Sequence, residues 1–306
     1  NLGLIIIDEQ HKFGVNQRKR LSDKGGNNCD VLLMTATPIP RTLTMTLYGD
    51  MDLSIIREKP KSRKPIKTYS KLESKIDDVV KFIKKEIKSG NQIFWVCPLI
   101  EESKKLDHSS AVKKFDYLNK LFPKQVSLLH GKTDLNYKEI ILDNFLKNKF
   151  QILVSTTIIE VGIDFPNANV IIIENANKFG LSQLHQLRGR VGRGTKQSEC
   201  IFHITNKKSL LTISEDGRQR LEAIVEIKDG FKLSEIDLEI RGEGKVTGTS
   251  QSGQSDLKIA DLRYDYELLI KSKDIYDQID STKLKDSIFK EAKILFPNYF
   301  KADGTT

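Results

Sequence analysis

Ile152-Leu-Val-Ser155-Thr-Thr157-Ile-Ile-Glu160-Val-Gly162-Ile-Asp164-Phe-Pro166-Asn-Ala-Asn-Val170-Ile-Ile-Ile-Glu174 holds two short apolar runs, separated by hydroxyl residues, a short helical stretch and a proline turn. Runs of this length, apolar on both faces and bounded by turn chemistry, suit strands of a parallel sheet covered by helices on each side. Working outward, similar runs recur at Leu4–Ile7, Val31–Met34, Ile93–Cys97, Val126–Leu129 and Cys200–Ile204. Amphipathic stretches near Thr42–Tyr48, Ile76–Lys88, Lys104–Leu121, Tyr137–Lys147 and Ser182–Val191 are expected to be helices. Such alternation predicts an α/β fold with a parallel sheet. The segment Glu58–Pro65, EKPKSRKP, with two prolines and five charges, reads as a linker between two sheets. After about Thr205 the strands stop, and Ile213–Lys228 and Asp256–Lys273 read as helices on either side of a Gly-rich stretch, Arg241–Gly253.

A chain of 306 residues has room for about two domains. No apolar run approaches the roughly 18 to 20 residues that span a bilayer, which excludes a membrane-spanning helix. Cys29, Cys97 and Cys200 stand far apart without a CxxC pair, so neither a disulfide framework nor a zinc site is suggested. A reducing compartment, the cytoplasm, is the simpler expectation. The start, NLGLIIIDEQ, lacks both a Met and a basic stretch, and reads as cut from a longer chain rather than as a signal peptide. Fifty Lys+Arg against 41 Asp+Glu give a net charge of +9. A polyanionic partner would explain that balance through counterion release. Lysines solvated on surface helices explain it equally well.

Chemistry concentrates in four places. The strand Leu4–Ile7 ends abruptly in Asp8-Glu9-Gln10-His11. Ligands of open α/β sheets bind outside the carboxyl ends of strands, and an Asp there can hold Mg²⁺ through waters while a neighbouring Glu polarises a water. An acidic turn after an ordinary strand is the plainer alternative. The next strand runs into Thr35-Ala-Thr37-Pro38, two hydroxyls suited either to relaying a change at Asp8–His11 or merely to capping a helix. Ser155, Thr156 and Thr157 offer hydroxyls that suit a nucleic-acid phosphate, and Asp164 is placed to meet a ribose or an arginine.

The most informative stretch is Gln183-Leu-His-Gln186-Leu-Arg188-Gly-Arg190-Val-Gly-Arg193-Gly194, after Ser182, a candidate helix cap. On a continuous helix Gln183, Gln186, Arg190 and Arg193 would share an arc of roughly 80°, beside an apolar stripe of Leu184, Leu187 and Val191. Gly189 and Gly192 would each cost about 1 kcal/mol inside that helix, which points to close backbone approach. Arginines held near a phosphate meet the charge that spreads over a phosphoryl-transfer transition state.

In this order the segments resemble the second half of a superfamily 2 helicase: DEQH resembles motif II, TATP motif III, STTIIEVGIDFPNA motif V and QLHQLRGRVGRG motif VI. Within it the chain resembles most the RecG family of ATP-dependent branched-DNA helicases, through Asp8–Val15, Thr35–Thr42, Cys97–Asp107 and Ile173–Gly194. Asp237–Gly242 with Gln251–Gly253 resembles the translocation motif that this family shares with the transcription-repair coupling translocase, which usually carries DEEH instead of DEQH. The resemblance implies ATP and Mg²⁺ as cofactors, with Asp8 at the metal and Glu9 activating water. Gln10 and His11 would help couple hydrolysis to DNA. Arg190 and Arg193 would be arginine fingers with Gln186 beside them, and Gly162 and Asp164 would line the nucleotide side. Thr35, Thr37, Ser155, Thr156, Thr157, Arg241 and Gln251 would serve DNA contact or coupling. Glu243 stands where the family usually has Pro, and Ser250 where it usually has Arg in GTRQSG, which puts that loop's role in question.

No GxxxxGK[ST] occurs, so the phosphate loop is expected upstream of Asn1 and the isolated chain is expected to be inactive. The expected architecture is the end of a first RecA-like helicase domain (1–56), a complete second one (57–207), a translocation helical hairpin and loop (208–255) and C-terminal helices (256–306). The expected parent is a monomeric bacterial cytoplasmic helicase that remodels branched double-stranded DNA, with no membrane association. The transcription-repair translocase is the alternative enzyme, and a non-catalytic nucleic-acid-binding module the alternative if the chain is itself the native product.

Overall fold

The computed structural model describes residues 2–9, 29–36, 54–56, 58, 63–98, 104–131, 133–156, 163–204, 213–241, 266–279 and 282–295. The chain divides into two compact units, residues 1–38 with 54–237, and residues 39–53 with 238–306.

The first unit contains two separate parallel sheets. In the smaller, β1 (Leu4–Asp8) runs beside β2 (Asp30–Met34), with Leu4 opposite Asp30 and Asp8 opposite Met34. Ile5 and Ile7 are buried, and Leu4, Ile6 and Asp8 are exposed. The larger sheet has six strands: β3 (Lys67–Leu72), β4 (Gln92–Val96), β5 (Val126–Leu129), β6 (Ile152–Ser155), β7 (Ala168–Glu174) and β8 (Glu199–Ile204), in the spatial order β3-β8-β7-β4-β6-β5. Every pairing is parallel.

Successive side chains of the central strands go to opposite faces. Ile93, Trp95, Ile152, Val154, Val170 and Ile172 join α1 (Ile76–Lys88) and α2 (Lys104–Leu121) through Val79, Ile83, Ala111 and Leu118. Phe94, Val96, Leu153, Ile171 and Ile173 meet α3 (Leu135–Leu146), α4 (Leu181–Arg188) and α5 (Glu215–Glu226) through Phe145, Leu184, Leu187, Leu221 and Ile224. Helices on both faces leave β4, β6 and β7 wholly buried, which is why these strands read as unbroken apolar runs.

Three departures from the sequence reading have physical causes. β3 was not anticipated, because KTYSKL has no apolar run. As an edge strand paired only with β8 in this sheet, it needs none, and its exposed Lys67 and Lys71 discourage further pairing. The predicted helix Ser182–Val191 begins and ends early, at Leu181 and Arg188. A further helix, α6 (Gly230–Arg241), follows α5, with Asp229 Oδ1 accepting from the backbone N–H groups of Phe231 at 2.8 Å and Lys232 at 3.0 Å. Leu221 and Ile224 of α5 pack on the core of the six-stranded sheet, as their spacing predicts, while Lys228 lies beyond the helix.

The second unit holds α7 (Tyr266–Asp277) and α8 (Thr282–Leu295). The predicted helix Thr42–Tyr48 and the Gly-rich residues 242–253 lie outside the described residues.

Candidate functional site

At the carboxyl end of β1 the exposed Asp8 is followed by Glu9 at φ 50. Left-handed backbone costs a non-glycine residue about 1–2 kcal/mol. It is held there by a ladder hydrogen bond from the Glu9 N–H to the Met34 carbonyl at 2.9 Å. The Thr35 hydroxyl, at the end of the neighbouring strand, donates to Glu9 Oε2 at 3.4 Å. Two segments separated by 26 residues are thus brought together by strand pairing. Asp8 supplies a hard oxygen of the kind Mg²⁺ takes. Among the described residues no group of three His, Cys, Asp or Glu is gathered for a metal. Gln10, His11 and Thr37 lie outside the described residues.

The arginine segment is arranged differently from the single helical face expected. Gly180, not Ser182, caps α4, and its N–H donates to Gln183 Oε1 at 3.0 Å. The helix ends at Arg188, and the Gly189 N–H closes the last turn on the His185 carbonyl at 3.0 Å. Gln186 therefore lies on α4, whereas Arg190 and Arg193 follow it in a loop. Gly192 in that loop has φ 79, and a Cβ there would stand 3.0 Å from Ile66 Cγ1. A Cβ on Gly194 would stand 2.8 Å from the Pro166 carbonyl oxygen. The glycines thus end the helix and admit close neighbours instead of being tolerated inside it. In this loop Arg193 Nε lies 3.7 Å from Asp164 Oδ1. The carboxylate predicted to meet a ribose or an arginine meets the arginine.

Ser155 and Thr156 close β6, both buried, and neither hydroxyl has a hydrogen-bond partner among the described residues. They lie at the carboxyl edge of the six-stranded sheet. Asp164 precedes β7 and the Arg193 loop precedes β8, so that pair lies at the amino edge. The topology therefore puts these hydroxyls and the Asp164–Arg193 pair at opposite edges of the sheet. Thr157, Gly162 and Gln251 lie outside the described residues, and Arg241 is placed only as the last residue of α6.

Residues 74–195 match the family model of the helicase conserved C-terminal domain, and residues 227–299 match that of the C-terminal region of domain 3 of the ATP-dependent DNA helicase RecG. The RecG helicase of Bacillus subtilis (strain 168) is 49% identical over 270 residues, and that of Thermotoga maritima 45% identical over 282. The chain is homologous to the C-terminal part of the RecG helicases. The alignments take in 88% and 92% of the chain but only 39% and 35% of those relatives. A structure of RecG bound to a three-way DNA junction is 42% identical with a TM-score of 0.66, matching 88% of this chain and 34% of that one. Saccharomyces cerevisiae Dbp5 bound to RNA and ADP BeF3, 16% identical with a TM-score of 0.52, matches 79% of this chain and 64% of its own, and shares the fold alone.

Two features of this RecG homologue were not foreseen. Arg188, inside the arginine-rich segment, is buried, and its Nη1 donates to the carbonyls of Ile224 at 2.8 Å and Ile227 at 3.0 Å. It ties α4 to the open carboxyl end of α5. Nothing in RGRVGR distinguishes this arginine, because burial is set by a helix some 36 residues away. The second feature centres on Glu174, which accepts from Trp95 Nε1 at 3.1 Å and pairs with Lys114 Nζ at 2.9 Å. The signal was present in a carboxylate ending the apolar run of β7.

Beside Glu174, the His203 imidazole is buried, and neither ring nitrogen has a partner among the described residues. Burial holds His203 below its ordinary pKa. The Glu174 charge opposes this and the Lys114 charge reinforces it. With the folded pKa depressed, the unfolded chain takes up the proton first, so stability is full above about pH 6.5 and is lost as pH falls below it. Denaturant midpoints at pH 7 and pH 5 should therefore differ more in the native chain than in His203→Gln. An equal difference in both would show that His203 does not govern the slope.

Proposed function

We propose that the chain is the C-terminal part of an ATP-dependent DNA helicase that remodels branched DNA, such as stalled forks and four-way junctions. The observation that carries this reading is the Asp164–Arg193 pair, on a glycine-shaped loop of a parallel sheet, in a chain 49% identical to a RecG helicase. A four-part division at residues 56, 207 and 255 is part of this proposal; the separate hydrogen bonding of the two sheets supports the first boundary and the helical region after β8 the second. The parent is proposed to act as a monomer in the bacterial cytoplasm. Among the described residues no helix is long and apolar enough to cross a membrane.

Bound ATP would supply the γ-phosphoryl group, and Mg²⁺ would neutralise charge on its oxygens. Asp8 would hold the ion through water. Glu9, with Oε2 steadied by Thr35, would orient the attacking water and take its proton. Arg193, exchanging Asp164 for phosphoryl oxygens, would present a planar cation to developing negative charge, with Arg190 and Gln186 near it. Gln10 and His11, together with Gly162, would complete the nucleotide side. Thr35, Thr37, Arg241 and Gln251 would pass hydrolysis on to DNA movement, and Thr157 would face a DNA phosphate, whereas the Ser155 and Thr156 hydroxyls are buried away from one.

The test compares the full-length parent with the 306-residue chain. The parent should hydrolyse ATP faster with branched DNA present and should unwind a three-way junction. The chain alone, having no phosphate-loop sequence, should bind a fluorescent ATP analogue only weakly. A parent without DNA-stimulated hydrolysis, or a chain with micromolar affinity and turnover, would refute the reading.

A further inference from the structure

The loop carrying Arg193 is fastened to the segment that enters β3. Ile66, the last residue before that strand, is partly buried against the core of the six-stranded sheet, and its Cγ1 and Cδ1 stand 3.0 and 3.3 Å from where a Cβ of Gly192 would be. Four residues beyond Arg193, Gln197 Nε2 donates to the Pro65 carbonyl at 2.7 Å, and the Lys67 N–H donates to the Ser198 carbonyl at 3.0 Å. Pro65 ends the EKPKSRKP linker. Residues 65–67 are therefore gripped on both sides of Arg193, by Gly192 before it and by Gln197 and Ser198 after it.

An arginine contributes to a transition state only if its guanidinium is held where charge will develop, and a displacement of about 1 Å can cost 10²-fold in rate. A loop with a left-handed glycine and no secondary structure of its own holds a side chain in place only through such outside contacts. We propose that Ile66 and Gln197 are positioning residues for Arg193, coupling its loop to the linker that enters the six-stranded sheet. The inference rests on the proposed ATP hydrolysis, and it adds a route by which movement of the linker reaches the arginine without touching nucleotide.

The test has two arms, both on Ile66→Ala and Gln197→Ala, with Ile66→Val as the conservative control. In the 306-residue chain, amide hydrogen exchange over residues 190–196 should quicken at least fivefold in both alanine variants and little in Ile66→Val. Unchanged exchange overturns the grip itself. In the full-length parent, affinity for ADP with aluminium fluoride, a transition-state mimic, should fall about tenfold along with kcat, while affinity for a non-hydrolysable ATP analogue stays within twofold. Equal losses for both ligands would mark a merely structural role, and losses for neither would mean that Arg193 is positioned by other contacts. Either result overturns the proposal. A wild-type parent that hydrolyses no ATP would instead defeat the proposed function, with the exchange arm still reporting on the grip.

Discussion

Arg193→Lys in the full-length parent is expected to lower kcat for ATP hydrolysis by on the order of 10³-fold, the scale of an arginine-finger loss. The cation remains in this variant, so a role in general surface charge would leave the rate nearly intact. What is lost is the planar fork, which can meet two phosphoryl oxygens at once, and Lys presents a single compact ammonium instead. The loop cannot readily compensate, since Gly194 already stands close under the Pro166 carbonyl and Gly192 against Ile66. Stability should hardly change. The side chains of Arg193 and Asp164 remain 25% and 57% exposed, and ion pairs of that kind contribute at most about 1 kcal/mol. Single-turnover hydrolysis with thermal melting alongside decides the matter: a near-normal rate would reduce Arg193 to basic surface, and a large drop in melting temperature would make it structural.

Glu9→Gln should lower kcat by about 10²- to 10⁴-fold, the range associated with a positioned general base, while binding of an ATP analogue and of junction DNA persists. The replacement keeps the size of the side chain and an oxygen able to accept from the Thr35 hydroxyl, so the contact between the ends of β1 and β2 should survive. The left-handed backbone at residue 9 is also unchanged, because Gln is no worse suited to φ 50 than Glu. The experiment isolates the carboxylate. DNA-stimulated hydrolysis close to that of the native parent would mean that Glu9 is a strained structural acid and that the water is activated elsewhere.

Much of this protein was determined by local pattern. Ile76–Lys88, Lys104–Leu121 and Val126–Leu129 have the limits that their periodicity indicates, because amphipathic spacing and unbroken apolar runs reflect burial on one or both faces of an element. The carboxylates of Asp8 and Glu9 at a strand end, and the arginines between glycines, were legible for the same reason. What only the tertiary structure decided depends on partners distant in sequence. KTYSKL is a strand because β8 offers it an edge. Arg188 is a clamp rather than a finger because the carbonyls of Ile224 and Ile227 come to it. Arg193 belongs to the amino edge of the sheet, beside Asp164, because the helix stops at Arg188 and the loop after it turns through positive φ at Gly192, packed closely against Ile66. Helical periodicity cannot foresee such a turn, since a glycine adopts positive and negative φ about equally readily and the contacts around Gly192 bear on which it takes.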